Sequence, residues 1–189
     1  MRRVVIIILI VFYAKPIISQ ELEFYREDLK FLIQDESFIV SGDYYFCNID
    51  SLRVDQLIYY PFPFDSAYYG EIDSIKVETA RDKPLSIRRT EKGILFSVSV
   101  MPYSTAVYNL CYKQKIKKNR VEYIFTTTQM WRRPLEVANF QIMIPDKYRM
   151  DSVNYEPDSV SFKGAGKKYF WHKTGFMPEE NFLFYFRRE

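Results

Sequence analysis

From Phe38 onward the chain alternates apolar and polar positions with a period of two. Phe38, Val40, Tyr44 and Phe46 share one face, and Ser41, Asp43 and Cys47 share the other. Alternation rich in Tyr, Phe, Val and Ile predicts pleated, half-buried strands. The same pattern runs through Val54 to Tyr60, Ser74 to Thr79, Ser86 to Arg89, Ile94 to Val100, Ala106 to Lys113, Val121 to Thr127 and Val137 to Ile144. The run from Val54 should stop at Pro61-Phe62-Pro63, because proline cannot donate to a ladder. Strands about 8–12 residues apart with turn residues between them predict an all-β fold, an antiparallel β-sandwich of immunoglobulin-like or related Greek-key topology. Glu91-Lys92-Gly93 and Lys117-Lys118-Asn119 predict hairpin turns.

Two stretches are less direct. Between Glu21 and Ile33, Leu22, Tyr25, Leu29 and Leu32 fit a helical period, whereas Leu29, Phe31 and Ile33 fit a strand. An Asp-Ser-apolar-x-apolar pattern occurs at Asp50, Asp73, Asp151 and Asp158, and it predicts a side-chain turn launching a strand at each. Residues 148–189 hold three of the six glycines, at Gly164, Gly166 and Gly175. Tyr169-Phe170-Trp171 and Phe182 to Phe186 predict further strands there. No Pro/Ser-rich linker sets this part off, so residues 20–189 are expected to form one domain, with residues 148–189 completing the same sandwich.

The beginning of the chain reads as an address. Arg2 and Arg3 precede an apolar run of eleven residues from Val4 to Ala14, well short of the roughly 20 that span a bilayer. A basic start, a short apolar core and a small residue beyond it predict a secretory signal peptide over residues 1–19, cleaved after Ser19. The alternative is an uncleaved anchor through Ile18, which Lys15 and Pro16 interrupt. The expected location is extracytoplasmic: periplasmic, cell-surface or secreted.

With 189 residues and 48% apolar composition the chain can bury a core, which excludes a disordered chain. Its formal charge is +3, but losing Arg2, Arg3 and Lys15 with the leader would leave the basic residues equal to the 24 acidic ones. A neutral chain offers no electrostatic case for nucleic acid or an anionic membrane surface, and no stretch after the leader is long enough to span a membrane.

The inventory of reactive groups is short. A serine-hydrolase triad would have to use His172, the one histidine, and no Gly-x-Ser-x-Gly elbow occurs. Zinc sites draw on Cys and His at short spacing, whereas Cys47 and Cys111 lie 64 residues apart. The acidic loop from Asp65 to Asp73 matches no calcium-loop template, and phosphate-cradling glycine loops are absent. Glu179 and Glu180 could serve a hydrolase only if adjacent residues converged, which a strand forbids. The expectation is a non-enzyme without cofactor or metal. Both cysteines fall on outer faces of their strands, so a disulfide could only join neighbouring strands of one sheet; bridged and free thiols both remain open.

Aromatic residues make up 18% of the chain, and most must fill the core. Phe62, Phe64, Tyr68 and Tyr69, and the segment Met130-Trp131-Arg132-Arg133-Pro134, fall in expected loops. Exposed aromatics and arginines at loop tips mark partner contacts. Tyr68, Tyr69, Trp131, Arg132 and Arg133 are therefore the candidate binding residues, for an envelope or extracellular protein or, alternatively, for a glycan stacked on the rings. The competing reading folds these side chains back to plug the sandwich.

Four blocks carry a family resemblance: Gly42-Asp43-Tyr44-Tyr45-Phe46-Cys47-Asn48; Tyr60-Pro61-Phe62-Pro63; Thr126-Thr127-Thr128 with Arg133-Pro134-Leu135-Glu136; and Phe176-Met177-Pro178-Glu179-Glu180-Asn181. They resemble exported bacterial β-sandwich domains of unknown function. The Tyr-x-Phe-x-Asn block followed by Tyr-Pro-Phe-Pro is also similar to the start of vault/inter-alpha-trypsin-type domains. The resemblance implies a sandwich fold and an extracytoplasmic address, and it brings no catalytic residues.

Overall fold

The computed structural model describes residues 22–162, 164 and 166–189, so the expected leader lies outside the described residues. Thirteen strands are described: β1 (Leu22–Gln34), β2 (Ser37–Asn48), β3 (Val54–Pro61), β4 (Tyr69–Thr79), β5 (Arg88–Arg89), β6 (Gly93–Val100), β7 (Ser104–Ile116), β8 (Arg120–Tyr123), β9 (Leu135–Pro145), β10 (Tyr148–Val153), β11 (Ser159–Phe162), β12 (Gly166–Phe176) and β13 (Phe182–Arg188). A 3-10 helix, Thr126–Trp131, follows β8. One layer is a seven-stranded sheet in the order β11-β12-β9-β1-β2-β7-β4, and two three-stranded sheets, β3-β6-β5 and β10-β13-β8, are packed on it. This is an all-β sandwich. It is antiparallel except for β1 against β9, and it has more strands than the seven to nine of an immunoglobulin domain.

The ambiguous first segment is a central strand. A bulge between Phe24 and Arg26 sets the extra residue Tyr25 against β2 and switches the face that later residues present. Leu22 and Phe24 point inward, and so do Glu27, Leu29, Phe31 and Ile33. The parity break inside one strand is what imitates a helical period. Bulges also explain half of the Asp-Ser pattern. Asp50 and Asp158 do precede β3 and β11, although the Asp158 carboxylate bonds His172 and Lys173 of β12 rather than its own backbone, and Asp73 and Asp151 lie at register shifts inside β4 and β10. Lys117-Lys118-Asn119 closes no hairpin either: it carries the chain from β7 in the large sheet to β8 in a small one. Residues 148–189 contribute strands to both layers.

Aromatic rings fill the space between the layers. Phe31 of the large sheet stacks on Phe182 of a small one at 5.3 Å, and Phe140 stacks on Trp171 at 5.1 Å. The three sheets meet at Tyr44. Its hydroxyl is 2.9 Å from that of Tyr60 on β3 and 2.9 Å from that of Tyr123 on β8. A Cβ on Gly42 would come within 2.7 Å of the Tyr44 ring, so the missing side chain leaves the room that lets the ring lie over its own strand. Trp131, ending the 3-10 helix, packs on Phe24 and Phe46 beside this junction.

Glu27 lies on the same inner face, 2% exposed, with no hydrogen-bond partner for Oε1. Burial, with Asp28 alongside, pushes its carboxyl up to about 8 from 4.5. Between those values the folded chain holds a proton that the unfolded chain has released. Stability is therefore fullest below about pH 4.5 and falls as pH rises toward 8, on the order of 1 kcal/mol per pH unit for this one group. Glu27→Gln should remove that slope, so chemical denaturation should find the variant gaining on the wild type from pH 4.5 to 8; parallel pH profiles would contradict the assignment. Tyr44→Phe strips both neighbouring hydroxyls of a partner and should cost about 1–3 kcal/mol. Exposed Tyr59→Phe should stay within about 0.5 kcal/mol in the same urea titration.

Candidate functional site

The outer face of the seven-stranded sheet carries the longest polar array. Strand register sets His172, Asn139, Asp28, Asp43, Asn109 and Glu78 side by side across six strands, from β12 to β4. The next row reads Phe170, Gln141, Lys30, Ser41, Cys111 and Lys76 in the same order. Arg26 and Tyr45 stand on the far side of the first row. Asn and Asp are depleted within strands, so four of them in mid-strand outward positions are a signal that the alternation pattern had hidden.

Asp28 is the knot of the array. It accepts from Arg26 Nη2 at 2.8 Å, Tyr45 Oη at 2.9 Å and Asn139 Nδ2 at 2.6 Å. Burial pushes its carboxyl up, and these donors outweigh burial and hold it below the usual carboxylate range. The Tyr45 phenol is pushed up to about 12, by burial and by the bond it donates to Asp28. Asn139 Nδ2 is given to Asp28, so its Oδ1 accepts from His172 Nδ1 at 2.7 Å. Asn109 Nδ2 donates to Asp43, and Lys76 pairs with Glu78 at 2.7 Å. Asp158 caps the β12 side: it accepts the His172 N–H at 2.6 Å and Lys173 Nζ at 2.9 Å, which hold its carboxyl low. A groove of about 470 Å³ lies over this array, lined by Arg26, Asp28, Lys30, Asp43, Gln141 and Phe170 among others.

Such a surface can bind, because its donors and acceptors are fixed before a ligand arrives. Among the described residues no group of three or more His, Cys, Asp or Glu could hold a metal ion.

The sequence-derived binding residues do not gather into one site. Tyr69 pairs with Ile116, while Trp131 packs on Phe46, which pairs with Ala106; ten residues of β7 separate the two places, about 33 Å. Tyr69 is buried and donates its hydroxyl to Glu122 at 2.7 Å. Tyr68 is covered by the Arg120 guanidinium at 4.4 Å and by Lys118 at 4.7 Å. Arg120 in turn pairs with Glu122 at 2.9 Å, so both rings belong to a bracing cluster. Trp131 is half-buried as a plug, Arg132 is exposed with φ 56°, and Arg133 bonds Glu23. Glu179 and Glu180 sit in the loop before β13 rather than on a strand. Asp65 makes an ordinary turn, its Oδ1 accepting the Ala67 N–H at 2.9 Å. A second, larger groove of about 910 Å³ opens between β4, the β5–β6 hairpin and the end of β7, with Phe64 and Lys92 on its rim.

No protein-family model and no curated protein matches the chain. Solved structures do match. A protein provisionally described as nutrient binding, from Legionella pneumophila, superposes with a TM-score of 0.71 at 15% identity over 88% of this chain and 67% of its own. An M1 zinc metallopeptidase from Deinococcus radiodurans gives 0.53 at 8% identity over 88% of this chain. A two-domain M1 zinc metallopeptidase bound to L-tryptophan gives 0.52 at 8% over 87%. This chain spans only 42% and 43% of those two, and at such identities the likeness is one of fold alone.

The cysteines are on neighbouring strands of one sheet, the arrangement that a bridge would require, yet they are free. Cys47 pairs with Thr105 and Cys111 with Ser41, six positions out of register and about 20 Å apart, against the 4.4–6.8 Å between Cα atoms that a disulfide allows. The chain unfolded without reductant should titrate two thiols with a thiol-specific reagent; none would show a bridge.

Proposed function

We propose that this chain is an exported, non-catalytic recognition module that binds through the outer face of its seven-stranded sheet rather than through end loops. The observation that carries the reading is the row from His172 to Glu78: polar side chains in mid-strand, held by hydrogen bonds and ion pairs with their neighbours, with a groove over the part from His172 to Asp43. The aromatic loops support it by subtraction, since Tyr69 is buried, Tyr68 is stacked under Arg120, and Trp131 is packed into the sandwich. The non-catalytic part rests on the same inventory: the single imidazole is tied to an amide rather than to a nucleophile. Export rests on the leader pattern of residues 1–19.

The groove chemistry favours a polyhydroxylated ligand such as a glycan. Sugar hydroxyls both donate and accept, which matches amides, carboxylates and an imidazole set side by side, with the Phe170 ring lining the groove. The buried core of a protein interface is instead depleted of charge, whereas Arg26, Asp28, Lys30 and Asp43 are central here. A glycan array followed by calorimetry tests this reading. Asp43→Ala or Gln141→Ala should weaken binding about tenfold or more, and Tyr68→Ala should leave it unchanged. Binding lost in Tyr68→Ala but kept in the two face variants would return the site to the end loops.

A further inference from the structure

We infer that one end of the sandwich is a lipid-contacting tip, formed by exposed apolar side chains of the β2–β3 and β6–β7 loops and directed toward a bilayer. Ile49 and Leu52 are 55% and 62% exposed, and Met101 and Tyr103 are 60% and 73% exposed. Isolated exposed apolar residues are ordinary, but these four belong to two loops that are bonded together. Asn48, fully buried, donates Nδ2 to the carbonyls of Leu52 at 2.8 Å and of Val100 and Met101 at 3.1 Å, while its Oδ1 accepts the Asp50 N–H at 2.9 Å. The Tyr103 N–H bonds the Asp50 carbonyl at 3.1 Å, and Tyr103 is held at φ 50°, a conformation that non-glycine residues seldom take. A buried amide thus ties the two loops to each other and to the end of β6, with their apolar side chains left outside. Met130, 77% exposed, precedes the Trp131 that packs on Phe24 and Phe46 near the same end, and exposed Arg132 follows it.

The position of this end selects the occupant. Leu22, the first residue of β1, pairs with Asn48, so the N-terminal end of β1 lies beside the two loops. The apolar run Val4–Ala14 ends eight residues earlier, at most about 28 Å of extended chain. Where that run is retained as the uncleaved anchor, the membrane that holds it lies within reach of the tip. Apolar side chains on a rigid edge would enter the interfacial region, with Arg132 placed for the headgroups. The chain without its leader is formally neutral, so attachment should depend on the apolar side chains more than on lipid charge.

The test uses the protein as recovered from the envelope of an expressing bacterium, with its N-terminus determined by mass. Flotation is measured with phosphatidylcholine vesicles and with phosphatidylethanolamine–phosphatidylglycerol vesicles. The wild type should float with both, and Leu52→Asp combined with Met101→Asp should weaken partitioning about tenfold or more. Both positions are exposed, so the double variant should unfold at the wild-type temperature. A wild type that stays with the soluble fraction overturns the inference. So does a double variant that floats equally well, which would assign attachment to the N-terminal segment alone. Self-association that the double variant abolishes, without flotation, would make the tip a protein interface and equally overturn it.

Discussion

The Tyr44 hydroxyl is the point on which the architecture turns. Two small sheets lie side by side on one large sheet, and nothing in strand pairing connects the small sheets to each other. A seam between them would expose core aromatics unless something bridged it. Tyr44 reaches up from β2 and bonds one tyrosine from each small sheet, so that three phenols satisfy one another inside the sandwich. The arrangement needs the space above Gly42, and the Trp131 plug closes over Phe24 and Phe46 nearby. Glu27, one strand away and paired with Tyr44 in register, is the cost of this seam: a carboxyl under the same roof with one oxygen unpartnered.

The outer face follows from that inner one. Each strand of the large sheet gives alternate residues to the core, so the register that aligns Leu29, Phe31, Phe140 and Trp171 inside must also align Asp28, Asn139 and His172 outside. The parallel pairing of β1 with β9 is essential, since it brings Asn139 to Asp28 from more than a hundred residues away. Two like-charged residues, Asp28 and Asp43, end up directly opposed on β1 and β2, an arrangement that is unfavourable unless donors surround it. Arg26, Tyr45 and Asn139 meet the need at Asp28, and Asn109 meets it at Asp43. A surface organised in this way holds its donors and acceptors in fixed directions.

The known structures of similar shape agree with this division. They share the fold at 8–15% identity, and function lives in sites carried on a fold rather than in the fold itself. The polar row on the outer face and the exposed apolar loops are properties of this chain's own residues.

The amino-acid sequence by itself determined the class of fold, because period-two alternation is local and survives any tertiary arrangement. It also assigned the faces of β2 and β7 correctly, with Cys47 and Cys111 outward and Tyr44, Phe46, Tyr108 and Leu110 inward. It could not reveal the bulge at Tyr25, which breaks the period inside β1, nor that Asp73 and Asp151 mark bulges while Asp50 and Asp158 precede strands, since the same short polar pair suits both. Only the tertiary structure decided which strands are neighbours, and the proposed binding surfaces depend on that. Pairing joined residues as distant as Asp28 and Asn139 into one row, separated Tyr69 from Trp131 by most of the length of β7, and set the two cysteines on adjacent strands too far out of register to meet. Side-chain direction is written every second residue along a strand, but register is a choice among whole strands, made by the packing of all of them at once.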